Sequence, residues 1–465
     1  MSSANFSPAP VPPEAGQPAR VSSLERGILT AILIAFVVVG FNNVRNGAYV
    51  GQDWNFHYDC VRKIAADCSR WFFMDVTSRP LIYWIAWGAE TFTRGAYGFQ
   101  LTALGFVLAG AGGLALAHDA LRWSIAYPAL RLATVALFAF LPVHLIATVV
   151  FAADALTLPL FALTAWSLLR CLHAPDDRSR LRFTLVGAAA LGLAQFQKFT
   201  FLLLPAGILA FLLLDGWLNR KWAWRRHAGL VAGFVVFPVL VGLWLHQKAS
   251  RELAHEPPRH SFNWKGTGEM TWRSVLLPRS EDAFLLDAPT YWTPPDQPEA
   301  RTLRLLQSNR YSYPGLLHLG VFTDVLNYAH GGQAPRPPSH QVGARWSVRW
   351  GLWFSAAVLV AVAAFAWRTA RGLTSRQYHT PSASLLWAIL GACWFFPLLI
   401  QLPYVHHAYE WGYWLPRLVL PALWTAIVLL ATEADALARR LPWLPWLFTL
   451  FVALQTGFGL WSVWR

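Results

Sequence analysis

Two aspartates and a histidine lie close together in a short polar segment that follows the first apolar stretch of the chain. The segment is Gly51–Asp59, and it contains Asp53, His57 and Asp59. A carboxylate accepts a proton as a general base, and a histidine carries a proton or binds a ligand. On a helix, a separation of six residues corresponds to about 600° of rotation around the helix axis. The two carboxylates would therefore point about 120° apart, and they need not face one site. The alternative is that both are solvated loop charges and that His57 is a hydrogen-bonding interface residue.

Three cations stand at the ends of apolar runs, and they are Arg79, Lys198 and Arg417. Arginine and lysine bind phosphate oxygens through charge-assisted hydrogen bonds, so these residues favour a phosphate-bearing ligand. The alternative is that they extend toward lipid head groups, as long cationic side chains do near helix ends. A further carboxylate, Asp154, begins another apolar run. It either supports the same site or caps a helix N-terminus.

The elements that position these residues are predicted to be membrane helices. The chain has 465 residues, of which 55% are hydrophobic and 13% charged, and its mean hydropathy is +0.37. Those values are typical of a protein whose solvent is the bilayer. A spanning helix needs roughly 20 mostly apolar residues. We predict an all-α polytopic membrane protein of about 11 spans, near residues 27–44, 97–117, 128–147, 152–171, 183–197, 200–216, 228–246, 351–367, 383–402, 416–432 and 444–463. The amphipathic stretch 80–93 is expected to lie on the membrane surface.

Arginine and lysine collect in every second connection, which predicts that those connections are cytoplasmic. The net charge of +14 reflects this bias, so we expect no binding of nucleic acid. The predicted organisation is a disordered cytoplasmic tail, an N-terminal membrane module with a catalytic first outer loop, a large periplasmic loop and a C-terminal group of membrane helices. These are residues 1–26, 27–246 with the loop at 45–96, 247–350 and 351–465, in that order. Composition favours a bacterial inner membrane, with the functional residues on the periplasmic side.

Cysteine usage adds one question about the first outer loop. Cys60 and Cys68 lie eight residues apart, which on a helix is roughly 12 Å. A helix would hold them too far apart for a disulfide, whereas a non-helical loop in an oxidising compartment would allow one, so both alternatives stay open.

Five segments resemble, in the same order along the chain, motifs of the GT-C family of polytopic glycosyltransferases. The likeness is to the branch of protein mannosyltransferases and bacterial lipid A aminoarabinose transferases. The segments are Asp53 with His57-Tyr58, Arg79-Pro-Leu-Ile-Tyr83-Trp84, Ala153-Asp154-Ala-Leu156, Leu193-Ala-Gln-Phe-Gln-Lys198-Phe-Thr200 and Pro416-Arg417-Leu-Val-Leu-Pro421. The chain departs from the family where Asp53-Trp54 replaces an adjacent Asp-Glu pair, and where Arg79 replaces a lysine.

The resemblance implies transfer of a sugar from a polyprenyl-phosphate donor to a glycan, lipid or protein acceptor on the outer face of the membrane, with inversion. Asp53 is then the expected general base, with Asp59 and His57 as further candidates. Arg79, Lys198 and Arg417 would hold the departing phosphate, supported by Asp154 and Tyr83. The expected partners are the lipid-linked donor, the acceptor and membrane lipids. The sequence establishes no cofactor besides the polyprenyl-phosphate sugar as donor substrate; a divalent metal stays an alternative that the departure at Trp54 leaves without support.

Other classes of membrane protein also carry a few functional charges. A secondary transporter or flippase places such charges near the bilayer midplane, often in repeated halves. No internal repeat is visible here, and the candidate charges lie at one edge. Within the enzymes, a polymer ligase acting on lipid-linked glycans has the same need for cations.

Overall fold

The structure is a computed structural model, and it is built from α-helices that run antiparallel through one bundle. It describes residues 18–50, 54–66, 80–152, 154–219, 224–253, 276–280, 282–283, 286, 312–323, 338–375, 382–401 and 416–463. These residues contain sixteen α-helices and no strand. The helices are α1 Ser23–Arg45, α2 Trp54–Ala66, α3 Leu81–Thr93, α4 Gly98–Leu121, α5 Pro128–Ala139, α6 Pro142–Val149, α7 Thr157–Leu172, α8 Asp177–Gln195, α9 Leu204–Asn219, α10 Trp224–Val231, α11 Phe237–Leu253, α12 Tyr313–Phe322, α13 Pro338–Ser375, α14 Ser382–Gln401, α15 Leu420–Ala438 and α16 Leu444–Val463.

Polar caps and prolines set where several helices begin. The Ser22 hydroxyl accepts a hydrogen bond from the Glu25 backbone N–H at the start of α1, at 3.1 Å. Asp176 does the same for Ser179 at the start of α8, at 2.7 Å. Side-chain acceptors at these positions satisfy amide donors that have no partner within the helix. Pro142 has no N–H to donate and begins α6, so the chain bends by 58° between α5 and α6.

Helix α4 is the centre of the N-terminal half, where it packs against α1, α3 and α7. Gly113 lets α4 and α7 approach closely, because a Cβ atom there would lie 2.9 Å from the Cα of Pro159. In the C-terminal half, α15 packs against α13 and α14, and α16 packs back on α5. The two halves therefore share one hydrophobic core, which includes Phe161, Trp387 and Trp424.

Eight of the described helices are long and apolar enough to cross a membrane, and the bent pair α5 and α6 makes a ninth if it counts as one span. The chain is thus an all-α polytopic membrane protein, as predicted. The predicted count of about 11 membrane spans is not confirmed. The predicted spans 152–171 and 183–197 correspond to α7 and α8. Helix α7 has 16 residues, about 24 Å, which is shorter than the hydrocarbon core, and α8 begins with charged residues.

The bundle has two ends that the contacts distinguish. The "far end" is where α1 begins and α4 finishes, and the "site end" is where α1 finishes and α4 begins. Arginines predicted to share one side of the membrane meet at the far end, since Arg122 and Arg170 both bind Asp119. Asp435, near the end of α15, accepts hydrogen bonds from the backbone of Ala126 and Tyr127 at the same end. Which side of the membrane the far end faces stays a prediction.

The predicted periplasmic loop 247–350 is described only in part. Helix α11 continues to Leu253, and α13 begins at Pro338. Between them the short helix α12 packs on α6 and α13, so it belongs to the bundle. The limits and the fold of this loop therefore stay predictions.

Candidate functional site

A buried ion pair lies at the site end, between Asp154 and Lys198. The Nζ atom of Lys198 donates to Oδ1 of Asp154, and the two residues are 6% and 5% exposed. A buried ammonium or carboxylate is costly without a partner, so each residue makes the other's burial possible. Neither lies within an α-helix: Asp154 precedes α7, and Lys198 precedes the short 3-10 helix Phe199–Leu203.

The contacts distinguish between the alternatives raised for these two residues. Leu156, not Asp154, occupies the N-cap position of α7. Lys198 is buried in the protein and bound to a carboxylate, so it does not extend toward lipid head groups. Both side chains therefore lie in the interior of the protein at the site end.

A hydrogen bond between His57 and Tyr83 joins α2 to α3, close to the turn that carries Asp154. The Nδ1 atom of His57 lies 3.0 Å from the Tyr83 hydroxyl, and both side chains are buried. Asp59 follows on α2 but its side chain is exposed, and among the described residues no contact joins it to Asp154 or Lys198. The structure thus separates His57 from Asp59, which the sequence grouped together.

The remaining candidates are described only in part. Asp53 and Arg79 lie outside the described residues, and so does Cys68. For Arg417 the backbone is described, in the 3-10 helix Pro416–Val419, and the side chain is not. The proposed roles of these residues stay predictions, and both alternatives for a disulfide between Cys60 and Cys68 stay open.

Two main-chain hydrogen bonds bring the motif segments together. The Leu81 N–H donates to the Phe196 carbonyl at 2.9 Å, which ties the start of α3 to the turn that carries Lys198. The Phe151 N–H donates to the Tyr49 carbonyl at 3.1 Å, which ties the end of α1 to the turn that carries Asp154. Segments separated by more than a hundred residues therefore meet at one end of the bundle.

The segment Pro416–Val419 reaches the same region through Trp394. The indole N–H of Trp394 donates to the Leu418 carbonyl at 2.7 Å. Its ring packs edge-on against Phe201, with centroids 5.0 Å apart, and Phe201 is three residues after Lys198. The 3-10 helix also packs on α6, which leads to Asp154. The fifth motif thus joins the other segments at the site end.

Phe151 is the aromatic centre of the site end. Its ring lies 5.8 Å from His57, 5.0 Å from Phe99 and 6.2 Å from Phe106. These rings exclude water from one side of the turn that holds Asp154. Electrostatic interactions are stronger where water is excluded, so a charge at this position acts with little screening.

Sequence reasoning missed several residues that build the site. Trp394 was interpreted as an ordinary apolar residue of a span, and Phe151 and Tyr49 were given no role. Gln195 was also overlooked, although its amide donates to the Leu191 and Phe201 carbonyls at 3.2 Å each and so holds the turn around Lys198. A buried amide in the otherwise apolar run Leu193–Phe196 was the signal that could have revealed it.

Metal ligands do not cluster in the described part of the chain. No group of three or more His, Cys, Asp or Glu side chains there could hold a metal ion. The chemistry that the described residues offer is instead that of an ammonium group. A lysine ammonium has three N–H donors, and the bond to Asp154 uses one of them.

Comparison with known proteins gives structural likeness only, since no family model and no curated protein sequence matches the chain. A protein O-mannosyltransferase complex of S. cerevisiae bound to its sugar donor is 18% identical over 50% of this chain and 35% of its own, with a TM-score of 0.39. ArnT from Cupriavidus metallidurans in the apo state is 16% identical over 95% of this chain and 78% of its own, also at 0.39. The oligosaccharyltransferase of Archaeoglobus fulgidus is 12% identical over 92% of this chain, with a TM-score of 0.49.

The chain thus spans only 35% and 53% of the length of the mannosyltransferase and the oligosaccharyltransferase. All three scores lie below 0.5, so the alignments carry no argument about residues or activity. The aligned structures are those of a protein O-mannosyltransferase complex, ArnT and an oligosaccharyltransferase. The likeness of the five motif segments to the GT-C glycosyltransferases therefore rests on the residues themselves.

Proposed function

We propose that the chain is a membrane glycosyltransferase that moves a sugar from a polyprenyl-phosphate donor to an acceptor on the outer face of the membrane. The acceptor is a cell-envelope glycan, a lipid or a protein. One observation carries the proposal: a buried lysine, paired with Asp154, lies where the described parts of the five motif segments meet at one end of the bundle. A bundle end that gathers such residues is suited to a ligand whose reactive group lies at the membrane edge.

The phosphate of the donor would bind at Lys198. The ammonium keeps further N–H donors in addition to the one that Asp154 accepts, and charge-assisted bonds to phosphate oxygens are among the strongest in proteins. Arg79 immediately precedes Pro80, next to the Leu81 amide that binds Phe196. Arg417 precedes Leu418, whose carbonyl binds Trp394. Each of these two hydrogen bonds to the main chain lies within two residues of one of the arginines along the chain. The bonds therefore support the assignment of both arginines to the same phosphate.

The reaction is a single inverting displacement. The acceptor hydroxyl attacks the anomeric carbon as its proton passes to a carboxylate, for which Asp53 is our choice. The bond between that carbon and the phosphate oxygen breaks, and the polyprenyl phosphate leaves with the electron pair. Lys198, Arg79 and Arg417 would stabilise the charge that develops on the leaving phosphate. His57, Tyr83 and Asp154 would position the reacting segments.

The distribution of buried charge favours a transferase over a transporter. In the described residues, buried Asp, Glu, Lys and Arg side chains lie near helix ends or between helices, as Glu25, Arg131, Asp215 and Asp435 do. A transporter pathway would place such charges near the bilayer midplane. The gathering of arginines at the far end favours a cytoplasmic far end, hence a periplasmic site in a bacterial inner membrane.

The decisive experiment measures transfer of radiolabelled sugar from a set of polyprenyl-phosphate donors by the purified protein in nanodiscs. We expect Asp53→Asn to abolish turnover without loss of donor binding. Asp59→Asn tests the second carboxylate, and Asp177→Asn is the matched control, because its exposed side chain lies at the far end. Loss of turnover in Asp59→Asn alone would move the base to Asp59. No transfer with any donor, together with substrate flux in liposomes, would replace the transferase by a transporter.

A further inference from the structure

A cavity of about 560 Å³ opens at the far end of the bundle, away from the proposed site. It lies between the segment that precedes α1, the first turns of α1 and the last turns of α4. Three arginines line it, and they are Arg20, Arg26 and Arg122. Leu29 and Ala115 form part of its wall, one turn or more deeper along α1 and α4. The cavity therefore has a cationic mouth and an apolar interior.

The wall is fixed in place by a reciprocal pair of hydrogen bonds. The Ala19 N–H donates to the Arg122 carbonyl at 3.0 Å. The Nε atom of Arg122 donates in return to the Ala19 carbonyl at 2.7 Å. The segment that carries Arg20 is thus held against the end of α4, which makes the mouth of the cavity a built feature.

The acidic groups around the cavity already have partners. Asp119 binds Arg122 at 2.6 Å and also binds Arg170, and its second oxygen accepts from the indole of Trp166 at 2.8 Å. Glu25 is bound by His118 and by a buried arginine of α5. Within the described part of the chain, neither Arg20 nor Arg26 makes an ion pair. Two exposed arginines therefore stand at the mouth without an acidic partner among the described residues.

We infer that this cavity binds the phosphate group of an anionic membrane lipid. Two exposed guanidinium groups supply donors in the planar arrangement that phosphate oxygens accept. The apolar wall at Leu29 and Ala115 suits the start of an acyl chain, because it continues along two helices that span the membrane. A free phosphate ion shares the head-group chemistry but gains nothing from that wall. The site is separate from the sugar-transfer site, and its occupant need not take part in transfer.

Native mass spectrometry of the purified full chain tests the inference, with phosphatidylglycerol and phosphatidylcholine titrated in parallel. We expect phosphatidylglycerol to bind more tightly than phosphatidylcholine. In the double variant Arg20→Ala/Arg26→Ala, its affinity should fall about 30-fold, since each arginine near an anionic surface contributes about a fivefold effect. The variant should bind phosphatidylcholine as the wild type does. Arg440→Ala is the matched control, because it removes an exposed arginine from the far end but not from the cavity.

A second measurement distinguishes the source of the phosphate. The melting temperature of the wild type is recorded with inorganic phosphate alone and with phosphatidylglycerol. A rise with the lipid and none with the ion supports the lipid site, whereas an equal rise with both overturns it in favour of free phosphate. Equal affinity of the wild type and the double variant for phosphatidylglycerol would overturn the site altogether. The melting temperature of the double variant without ligand verifies that it folds.

Discussion

Two buried clusters of charge lie at opposite ends of the bundle and are built differently. At the far end, Arg131 binds both carboxylate oxygens of Glu25 at 2.8 Å and also donates to the Ile125 and Ala126 carbonyls at 2.9 and 2.8 Å. His118 adds a third bond to Glu25 at 3.0 Å. Each of the three residues belongs to a different helix, α1, α4 or α5. A fifth bond goes from Nη2 of Arg131 to the Arg20 carbonyl at 3.4 Å, so the guanidinium is bound on every side.

At the site end, Lys198 is paired with Asp154 among the residues that the structure describes, and both partners lie on turns between helices. A lysine on a turn keeps rotational freedom that a guanidinium fixed by five acceptors does not have. The difference indicates that burial of a charge does not by itself mark a functional site. What distinguishes the proposed site, among the described residues, is an ammonium group paired with Asp154 at a place where loops meet.

The largest effect is expected at the far end, from Arg131→Ala. Removing one partner of a buried ion pair leaves the other charge uncompensated, so the free energy of unfolding should fall by about 3–5 kcal/mol. Denaturant unfolding in detergent measures the change, and the transfer rate per folded molecule should stay unchanged. The double variant Arg131→Met/Glu25→Gln should recover part of the loss. A fall below about 1 kcal/mol, within the range of ordinary surface changes, would contradict the structural role.

At the site end, Lys198→Ala should slow sugar transfer about 10²–10³-fold, because it removes the donor that our proposal assigns to the leaving phosphate. Asp154→Asn keeps the ammonium and should slow transfer much less. Rates from saturating and limiting donor concentrations separate binding from the chemical step. If the two variants are equally slow and equally destabilised, the pair is structural, and the contrast between the two ends is lost.

A smaller effect is expected from Tyr83→Phe, which removes the hydroxyl that binds His57. We expect a loss of about 1 kcal/mol in the free energy of unfolding, with transfer reduced less than about tenfold. Tyr127→Phe is the matched control, since its hydroxyl makes only a long contact of 3.5 Å with the Ala438 carbonyl at the far end. A fall of a hundredfold in transfer at unchanged stability would instead place Tyr83 in the chemical step.

Composition and hydropathy were sufficient to predict an all-helical membrane protein, because both report directly on the solvent of the chain. The number of spans was harder to predict. Helix α7 is shorter than a full span, and α5 and α6 are divided by the break before Pro142. Hydropathy windows average over such breaks, so they count a bent or short helix as a complete crossing.

The site was predictable where residue type and position were both unusual. Asp154 and Lys198 were selected separately as charges at the ends of apolar runs, and the structure joins them. Their pairing was not predictable, since it depends on how α7 packs against α8. Asp59 and His57 are neighbours in sequence, yet one is exposed and the other buried, because burial depends on which side of α2 faces α3.

The hydrogen bonds from Leu81 to Phe196 and from Phe151 to Tyr49 use only backbone atoms. Any residue except proline supplies the donor N–H at positions 81 and 151, so these two joints do not depend on which side chain stands there. Evolutionary drift can therefore replace the residues around the site without separating its loops. Distant relatives of this chain are better recognised by the order and spacing of their helix ends than by matched side chains.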